Sequence, residues 1–342
     1  MNSTRFAVAG FKHFHILEFV RGMREVPGAQ LVGVYDADPA LRDRHAAELE
    51  VPGFDSLDAL VERSEPDVVG VAVENGEKAN TIERLTELGC HVLADKPLTT
   101  SLPDLDRIEN AAARTGKHIG LMLLLRYHGP LRAVRNQLRA GALGRLASFV
   151  SLAPHKLNPE GRPEWMFDPQ LYGGVLNDLE IHDVDIMRWL MNEEPVSVAA
   201  SEGCLRFTQY PGFTDHASVL LEFADSATAL LRADWLTPEA FPAHGDGRQF
   251  FECTGGTVEV RAAPDIHMIG EGTVVVDWWD RPREELAPAP PEKSLYAEFV
   301  DLCQGDGTAE LLPADGFRST RVTLYAAEAA RTHQRIDLRG ML

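Results

Sequence analysis

The stretch RFAVAGFKHFHI, residues 5–16, leads from a short apolar run through a turn into a predicted helix. An uninterrupted apolar run of this length is typical of a strand that is buried on both faces, as in a parallel sheet. Four more such runs follow, with amphipathic helical patterns between them: AQLVGVYD (29–36), DVVGVAV (67–73), CHVLAD (90–95) and HIGLML (118–123). The alternation predicts a doubly wound α/β Rossmann domain over residues 1–124.

Helix boundaries in this domain carry recognisable signals. Asp38 stands before Pro39, which predicts an N-cap followed by proline in the first helical position. Gly89 and Gly116 stand where two helical patterns should end. We therefore expect helices to alternate with the strands along the whole domain.

The pattern changes in residues 125–342. A predicted helix over 173–190, with the sequence GGVLNDLEIHDVDIMRWL, precedes several strands in series. These strands are SVLLEF (218–223), TALLRADW (228–235), FFECTG (250–255), TVEVRA (257–262) and TVVVDWW (273–279), after a first one at RLASFVSLAP (145–154). Strands joined by short loops indicate an antiparallel sheet. We predict an α+β domain with a largely antiparallel, open-faced sheet and two closing helices, near 294–303 and 314–333.

Composition restricts the classes of partner. The 342 residues include 33 basic and 52 acidic side chains, a formal net charge of −19. This charge repels a phosphate backbone and anionic lipid, so we expect neither nucleic acid nor a membrane surface as a partner. The four cysteines include no CxxC pair, and no apolar run has the length of a membrane span or a secretory signal. We expect a cytoplasmic protein.

The first turn of the Rossmann domain departs from the dinucleotide fingerprint. Gly10 occupies the first glycine position, but Lys12 and His15 occupy the second and third. One interpretation is a turn that kept its fold and lost its ligand. In the other, Lys12 and His13 place positive charge beside the cofactor phosphates at a helix N-terminus. Asp36, at the end of the second strand, would accept hydrogen bonds from ribose hydroxyls and favour NAD over NADP, unless it is an ordinary turn aspartate. The cofactor-binding candidates are Gly10, Phe11, Lys12, His13, Phe14, Asp36, Asn75 and Lys96.

Asp178 and His182 are four residues apart on the predicted helix. That spacing brings two side chains to within about 40° of each other on one helical face. A carboxylate beside an imidazole raises its basicity, which makes His182 a candidate base for an alcohol proton. Two alternatives are an ion pair without chemistry and a metal site completed by His155. Glu180 lies about 200° around the helix from Asp178 and cannot join that ion, so we predict no metal.

Lys96 follows the strand CHVLAD and precedes Pro97. This position places it at the carboxyl edge of the parallel sheet, where the ligand crevice of such folds forms. A cation beside a reacting hydroxyl would stabilise developing alkoxide charge. The alternative is a solvated loop lysine, which is the usual state of lysine side chains.

These motifs, in this order, resemble the Gfo/Idh/MocA family, named for glucose–fructose oxidoreductase and inositol dehydrogenase. The resemblance covers essentially the whole chain and rests on three stretches: the acid-Lys-Pro tripeptide at 95–97, GG-x-x-x-D-x-x-x-H-x-x-D at 173–185 and RAGALGRLASF at 139–149. It implies that Lys96, Asp178 and His182 line the site. The chain departs from the family pattern at Asp95, where glutamate is usual, and in the glycine turn.

The resemblance implies an NAD-dependent dehydrogenase acting on a secondary alcohol of a sugar, inositol or related polyol. His182 would remove the hydroxyl proton, Lys96 would hold the oxygen, and Asp178 would orient the histidine or a neighbouring hydroxyl. Additional substrate-contact candidates are Arg126, Tyr127, His155, Trp165 and Asn177. Two other functions stay open, namely a non-catalytic NAD or sugar sensor and an NAD-dependent glycosidase of the same fold.

The resemblance also implies a homodimer or homotetramer that associates through the open face of the second-domain sheet. Trp278 and Trp279 are adjacent in a predicted strand, so their side chains must point to opposite faces. We expect one of them to meet another surface. The alternative is that the closing helices cover it within one chain.

Overall fold

Residues 3–262, 272–305 and 307–342 are described by the computed structural model of the protein. The chain forms two compact units. The first contains Met1–Met122, Gln170–Gly173 and Lys293–Phe317, and the second contains the remaining segments, Leu123–Pro169, Gly174–Glu292 and Arg318–Leu342. Whereas we expected a single division after residue 124, two later segments return to the first unit.

The first unit contains a six-stranded parallel sheet with the order β3-β2-β1-β4-β5-β6. Its strands are β1 Thr4–Ala9, β2 Ala29–Tyr35, β3 Gly53–Phe54, β4 Val68–Val71, β5 His91–Ala94 and β6 Ile119–Leu121. Each predicted apolar run overlaps one of these strands, so the predicted Rossmann class is confirmed. The two-residue β3 was not predicted, because it is too short to produce a pattern.

Helices cover this sheet as the alternation predicts. They are α1 His15–Arg24, α2 Pro39–Leu49, α3 Leu57–Ser64, α4 Lys78–Glu87 and α5 Leu102–Thr115. The Asp38 side chain accepts a hydrogen bond of 2.8 Å from Ala40 N, as expected of an N-cap. Gly89 and Gly116 have φ values of +93° and +70° after α4 and α5. Both helix ends therefore lie where the glycines predicted them.

The helices that follow along the chain are α6 Gly129–Arg139, α7 Pro169–Tyr172, α8 Gly174–Asp178, α9 Glu180–Met191, α10 Leu295–Cys303 and α11 Pro313–Thr332. None of the helices in the described ranges combines the length and apolar character needed to cross a bilayer. Helices α10 and α11 correspond to the two closing helices predicted near 294–303 and 314–333.

A nine-stranded sheet forms the centre of the second unit, with the order β14-β13-β12-β11-β7-β10-β9-β8-β15. Its strands are β7 Leu146–Pro154, β8 Ser197–Gly203, β9 His216–Glu222, β10 Thr228–Asp234, β11 Arg248–Cys253, β12 Gly256–Ala262, β13 Gly272–Trp278, β14 Glu284–Leu286 and β15 Ile336–Asp337. The described pairs are antiparallel apart from β7 and β10, which run parallel. This confirms the largely antiparallel α+β class.

The prediction of a single helix over 173–190 is wrong, because the helix is interrupted at Leu179, between α8 and α9. Leu179 N still donates to Val175 O at 2.9 Å, whereas His182 N donates to Leu179 O at 3.3 Å. Asp178 and Glu180, about 200° apart on an ideal helix, are 2% and 0% exposed. Since this segment is buried on opposite sides, it lacks the amphipathic stripe from which a continuous helix is recognised.

Helix α10 packs on α1 within the first unit. Tyr296 lies edge-on to Phe19, with ring centroids 6.3 Å apart, and its ring covers Gly22, where an added Cβ would lie 2.1 Å away. Phe299 covers Gly120 in β6 in the same way, at 2.6 Å. These close approaches explain why Lys293–Phe317 belongs to the first unit. The contacts join residues far apart in sequence, so local patterns do not reveal them.

Gly22→Ala should destabilise the protein although it lies inside a helix. Helix propensity alone would favour alanine by about 1 kcal/mol. Overpacking against the Tyr296 ring should instead produce a net loss of about 1–3 kcal/mol in the free energy of unfolding, measured by urea denaturation. In a Tyr296→Ala background the same substitution should become neutral or stabilising. An equal loss in both backgrounds would show that this contact does not restrict Gly22.

Candidate active site

The turn after β1 is held between the ends of two neighbouring strands. Gly10 has a φ of +90°, and a Cβ there would lie 2.6 Å from Val73 Cγ1 and 2.8 Å from the Ala72 carbonyl. Gly10 N donates to Tyr35 O at 2.8 Å, and Lys12 N donates to Ala72 O at 2.9 Å. The turn thus retains the close backbone packing for which the first fingerprint glycine is required.

Asp36 shapes this turn from the end of β2. Its carboxylate accepts hydrogen bonds from Phe11 N at 2.7 Å and from Asp38 N at 2.8 Å, and the residue is 2% exposed. Lys12 Nζ lies 3.7 Å from Asp36 Oδ1 and 3.6 Å from Glu74 Oε1. Each carboxylate oxygen has a second acceptor position. The expected ribose contact therefore stays a prediction, compatible with these hydrogen bonds.

Asp95 lies between two histidines of the first turn. Its Oδ2 is 2.8 Å from His13 Nδ1, and its Oδ1 is 3.0 Å from His15 Nδ1. Burial alone would raise the pKa of Asp95, but the two imidazoles hold it well below the ordinary value. Burial, with His13 alongside, lowers the pKa of His15 to about 3. At neutral pH the carboxylate is charged and His15 is neutral.

This cluster contains a residue from each of the two places at which the sequence departs from the family pattern. His15 stands at the third glycine position of the fingerprint, and Asp95 replaces the glutamate usual in the tripeptide. Because the two residues are 80 positions apart in the chain, motif spacing could not predict their contact. The His-x-His spacing within the turn was the available signal.

Lys96 is 6% exposed at the end of β5, so it is not a solvated loop lysine. The segment that carries it is held by Lys78, whose Nζ donates to the carbonyl oxygens of Asp95, Lys96 and Pro97 at 2.8, 3.2 and 2.9 Å. The Lys96–Pro97 peptide is cis. Lys78 is a positioning residue that the sequence did not indicate, since a lysine at the start of an amphipathic helix is normally solvated.

The remaining cofactor candidates differ in their surroundings. The Phe11 ring stacks on His45, with centroids 4.1 Å apart, whereas Phe14 is 63% exposed at the start of α1. Asn75 is buried, and its Nδ2 donates to Tyr172 O at 2.9 Å. Asn75 thereby holds the short segment 170–173 within the first unit.

In the second unit, Asp178 and His182 lie on either side of the helix break. Asp178 is buried as the last residue of α8, and His182 is half-buried in the first turn of α9. The neighbouring Asn177 is fully buried, and its Oδ1 accepts a hydrogen bond of 2.8 Å from Thr323 Oγ1 on α11. Tertiary contacts, rather than the face of one helix, hold this segment in place.

Arg126 forms a buried bidentate pair with Asp185. Its Nε and Nη2 donate to the carboxylate at 2.7 and 2.6 Å, and the residues are 3% and 1% exposed. Ser319 Oγ donates to Asp185 at 2.9 Å and accepts from Arg188 Nη1 at 2.7 Å. The guanidinium proposed for substrate contact is thus engaged in positioning α9. Tyr127 beside it is also buried.

The polar loop after β7 is anchored by aromatic contacts. His155 Nδ1 lies 2.9 Å from Ala153 O, and the ring packs edge-on against Trp235 and His244 at 5.6 and 5.3 Å. Trp165 is buried in a short helical turn. Of the five substrate candidates, His155 is the one that is half-buried, while the other four are buried.

Helix α9 also carries two buried carboxyl groups that the sequence did not single out. Glu180 and Asp183 are 0% and 2% exposed, and Gln249 Nε2 donates to Asp183 Oδ1 at 3.0 Å. Burial raises the pKa of Asp183 to about 6 and that of Glu180 well above its ordinary value.

Asp183→Asn should change the pH dependence of stability. Because the folded-state pKa of Asp183 is about 6 against 3.8, the native state holds a proton that the unfolded state has lost. Wild-type stability therefore falls as pH rises from 4 to 6, and a shift of this size corresponds to roughly 3 kcal/mol. Asparagine cannot ionise, so the stability of Asp183→Asn relative to wild type should rise by that amount between pH 4 and pH 7 in urea titrations. The exposed-site control Asp280→Asn should show no such trend, and a flat difference for Asp183→Asn would contradict the assignment.

Two family models match this chain. Residues 4–122 match the family model described as an oxidoreductase family with an NAD-binding Rossmann fold, and residues 131–259 match the GFO/IDH/MocA C-terminal domain. A 1,5-anhydro-D-fructose reductase from Ensifer adhaerens is 26% identical over 94% of this chain and 95% of its own length. A dTDP-3,4-didehydro-2,6-dideoxy-alpha-D-glucose 3-reductase from Saccharopolyspora spinosa is 29% identical over 66% of this chain and 67% of its own.

Among solved structures, the aldose-aldose oxidoreductase from Caulobacter crescentus in complex with glycerol superposes with a TM-score of 0.84. It is 20% identical and covers 98% of this chain and 100% of its own, a similarity that concerns the fold alone. The two matched models cover residues 4–122 and 131–259, which together make up more than half of the chain. The chain belongs to the Gfo/Idh/MocA family of oxidoreductases.

Proposed function

We propose that this protein is an NAD-dependent dehydrogenase acting on a secondary alcohol of a sugar, an inositol or a related polyol. Relatives named for such substrates support the proposal, including inositol 2-dehydrogenases from Saccharopolyspora erythraea and Rhizobium meliloti. The observation that carries it is the buried Lys96 at the carboxyl end of β5, held there through the Lys78 ammonium.

The first turn retains features that fit a dinucleotide. Gly10 permits the tight turn, because a Cβ there would clash with Val73 and the Ala72 carbonyl. The N-cap residue of α1, Phe14, makes no side-chain capping hydrogen bond, so main-chain amide groups at the start of this helix can face a pyrophosphate. Lys12 adds positive charge nearby, while the Asp36 carboxylate would repel a 2′-phosphate. We therefore assign NAD as the cofactor, although a relative from Haloferax volcanii is named as a D-xylose 1-dehydrogenase using NADP(+). When bound, the nicotinamide supplies the acceptor or donor of the hydride.

In the proposed reaction, His182 removes the proton of the substrate hydroxyl in oxidation and returns it in reduction. Lys96 holds the same oxygen and stabilises the charge that develops on it. Asp178 orients the imidazole or a neighbouring hydroxyl. That these three groups act on one substrate remains our prediction.

Lys96→Ala and His182→Ala should each lower kcat/KM with NAD by roughly 10²–10⁴-fold, since each removes a group that stabilises the transition state or transfers the proton. A panel of sugars, inositols and sugar acids, tested with NAD and NADP, should first identify the substrate through the absorbance of the reduced nicotinamide. Lys117→Ala and His118→Ala, which change a lysine and a histidine at the amino end of β6, serve as matched controls and should retain activity. Unchanged turnover in both site variants would refute the assignment.

The same panel separates the alternative functions. Sugar release without net NADH would indicate the glycosidase, and binding of NAD or sugar without product would indicate the sensor. Turnover of NAD with a free polyol supports the dehydrogenase. Comparing NAD with NADP tests the role of Asp36.

We propose that the protein forms a homodimer or homotetramer through the open face of the second-unit sheet. Cross-strand register aligns Leu230 with Leu220 on one side and Val150 on the other, and Phe250 continues the row beyond Val150. Leu230 is 50% exposed, and the row forms an apolar stripe across four strands. At the end of β13, Trp278 is buried whereas Trp279 is 77% exposed, as alternation predicts.

Leu230→Asp should therefore convert the assembly to monomers, because it places a charge in the proposed apolar interface. Size-exclusion chromatography with light scattering measures the mass in solution. The matched control Leu205→Asp changes a leucine that is 81% exposed in a loop and should leave the mass unchanged. An unchanged mass for Leu230→Asp would show that this face is not the interface.

We also propose a cytoplasmic location. All four cysteines are free thiols, two of them buried, which suits a reducing compartment. Fractionation of cells with an antibody to the protein tests this location.

A further inference from the structure

Three side chains with metal-ligand chemistry meet at one point of the first unit. His13 comes from the turn after β1, His15 is the first residue of α1, and Asp95 follows β5. One ligand atom from each lies within 4.8 Å of the other two, the one such group of three found in the described residues. Because these residues belong to three separate elements, the fold rather than local sequence assembles the group.

One of the two contacts to Asp95, the one with His13, differs from an ordinary hydrogen bond. His13 Nδ1 and Asp95 Oδ2 are only 2.8 Å apart, yet within the described chain neither atom makes a hydrogen bond of acceptable angle. Asp95 is 1% exposed, so its carboxylate depends on the two imidazoles, or on an ion held between them, to offset the cost of burial. Two ligand atoms on one ion, each bonded at about 2.1 Å, lie roughly 3.0 Å apart at an octahedral angle and roughly 3.4 Å apart at a tetrahedral angle. The spacing matches atoms that share an ion.

The donor set indicates the class of ion. Two imidazole nitrogens and one carboxylate oxygen suit first-row transition ions, whereas magnesium and calcium prefer oxygen ligands. Three protein ligands leave positions open for water or another ligand. We propose that His13, His15 and Asp95 bind one divalent transition-metal ion of the zinc or iron(II) class.

The surroundings allow an ion to enter and hold the ligands in place. The side chains of His13 and His15 are 12% and 20% exposed, so the imidazoles form the open side of the group. The Asp95 main chain is fixed by Lys78, which donates to its carbonyl at 2.8 Å. A carboxylate held this rigidly favours a preformed site over one that must be ordered by the ion.

The experiment uses the full-length protein, stripped with a chelator, dialysed and titrated with Co²⁺ and Zn²⁺ in the absence of NAD. Cobalt should produce d–d absorption bands that saturate at one equivalent, and zinc should displace it. His15→Gln and Asp95→Asn should weaken binding by more than about 100-fold, since even second-shell changes cost 10–100-fold. His118→Gln, in the same unit, is the matched control and should bind like wild type. Circular dichroism and thermal melts confirm that each variant is folded.

The outcomes separate this proposal from the dehydrogenase activity, because the readout is the ion itself. If wild type binds no equivalent, or if binding survives both substitutions, the site does not exist. If the variants lose NAD affinity while wild type takes up no metal, the cluster serves only the cofactor. Saturable binding that disappears with His15 or Asp95 supports the site whether or not the protein oxidises a polyol.

Discussion

The ammonium group of Lys78 is the constraint on which the rest of the first unit's site depends. It is buried and donates to three consecutive carbonyl oxygens, those of Asp95, Lys96 and Pro97. A hydrogen bond from a charged donor contributes about 1.5–3 kcal/mol, so this segment is fixed more firmly than an ordinary loop. The Lys78 ammonium therefore fixes the main chain that carries both the candidate catalytic Lys96 and the Asp95 carboxylate between His13 and His15.

In the second unit, helix α9 has several charged side chains that are buried and must be compensated by hydrogen bonds, ion pairs or protonation. Asp185 is paired with Arg126, Asp183 accepts a hydrogen bond from Gln249, and burial raises the pKa of Glu180 well above its ordinary value. Breaking the buried Arg126–Asp185 pair would leave an uncompensated charge, which typically costs 3–5 kcal/mol. Much of the polarity in this segment therefore supports the fold, whereas Asp178 and His182 are the residues that we propose for proton transfer.

The architecture of the two sheets explains why we assign cofactor binding to the first unit and self-association to the second. A parallel sheet gathers the carboxyl ends of its strands at one edge, and the turn with Gly10, the end of β2 with Asp36 and the end of β5 with Lys96 all lie there. The second sheet has one face packed on helices, while Leu230 and its neighbours leave an apolar row on the other. The proposed cofactor binding and the proposed self-association thus fall on separate sheets.

Local sequence determined the Rossmann class, the antiparallel character of the second sheet, the cap at Asp38 and the helix ends at Gly89 and Gly116, because periodicity and backbone preference act within a few residues. It also placed Lys96 at the end of a strand. Only the tertiary structure decided that α10 packs against Gly22, that the helix breaks at Leu179, that Arg126 pairs with Asp185 and that His15 meets Asp95. Each of these depends on which residues the fold buries, and the spacing of neighbouring residues does not determine that.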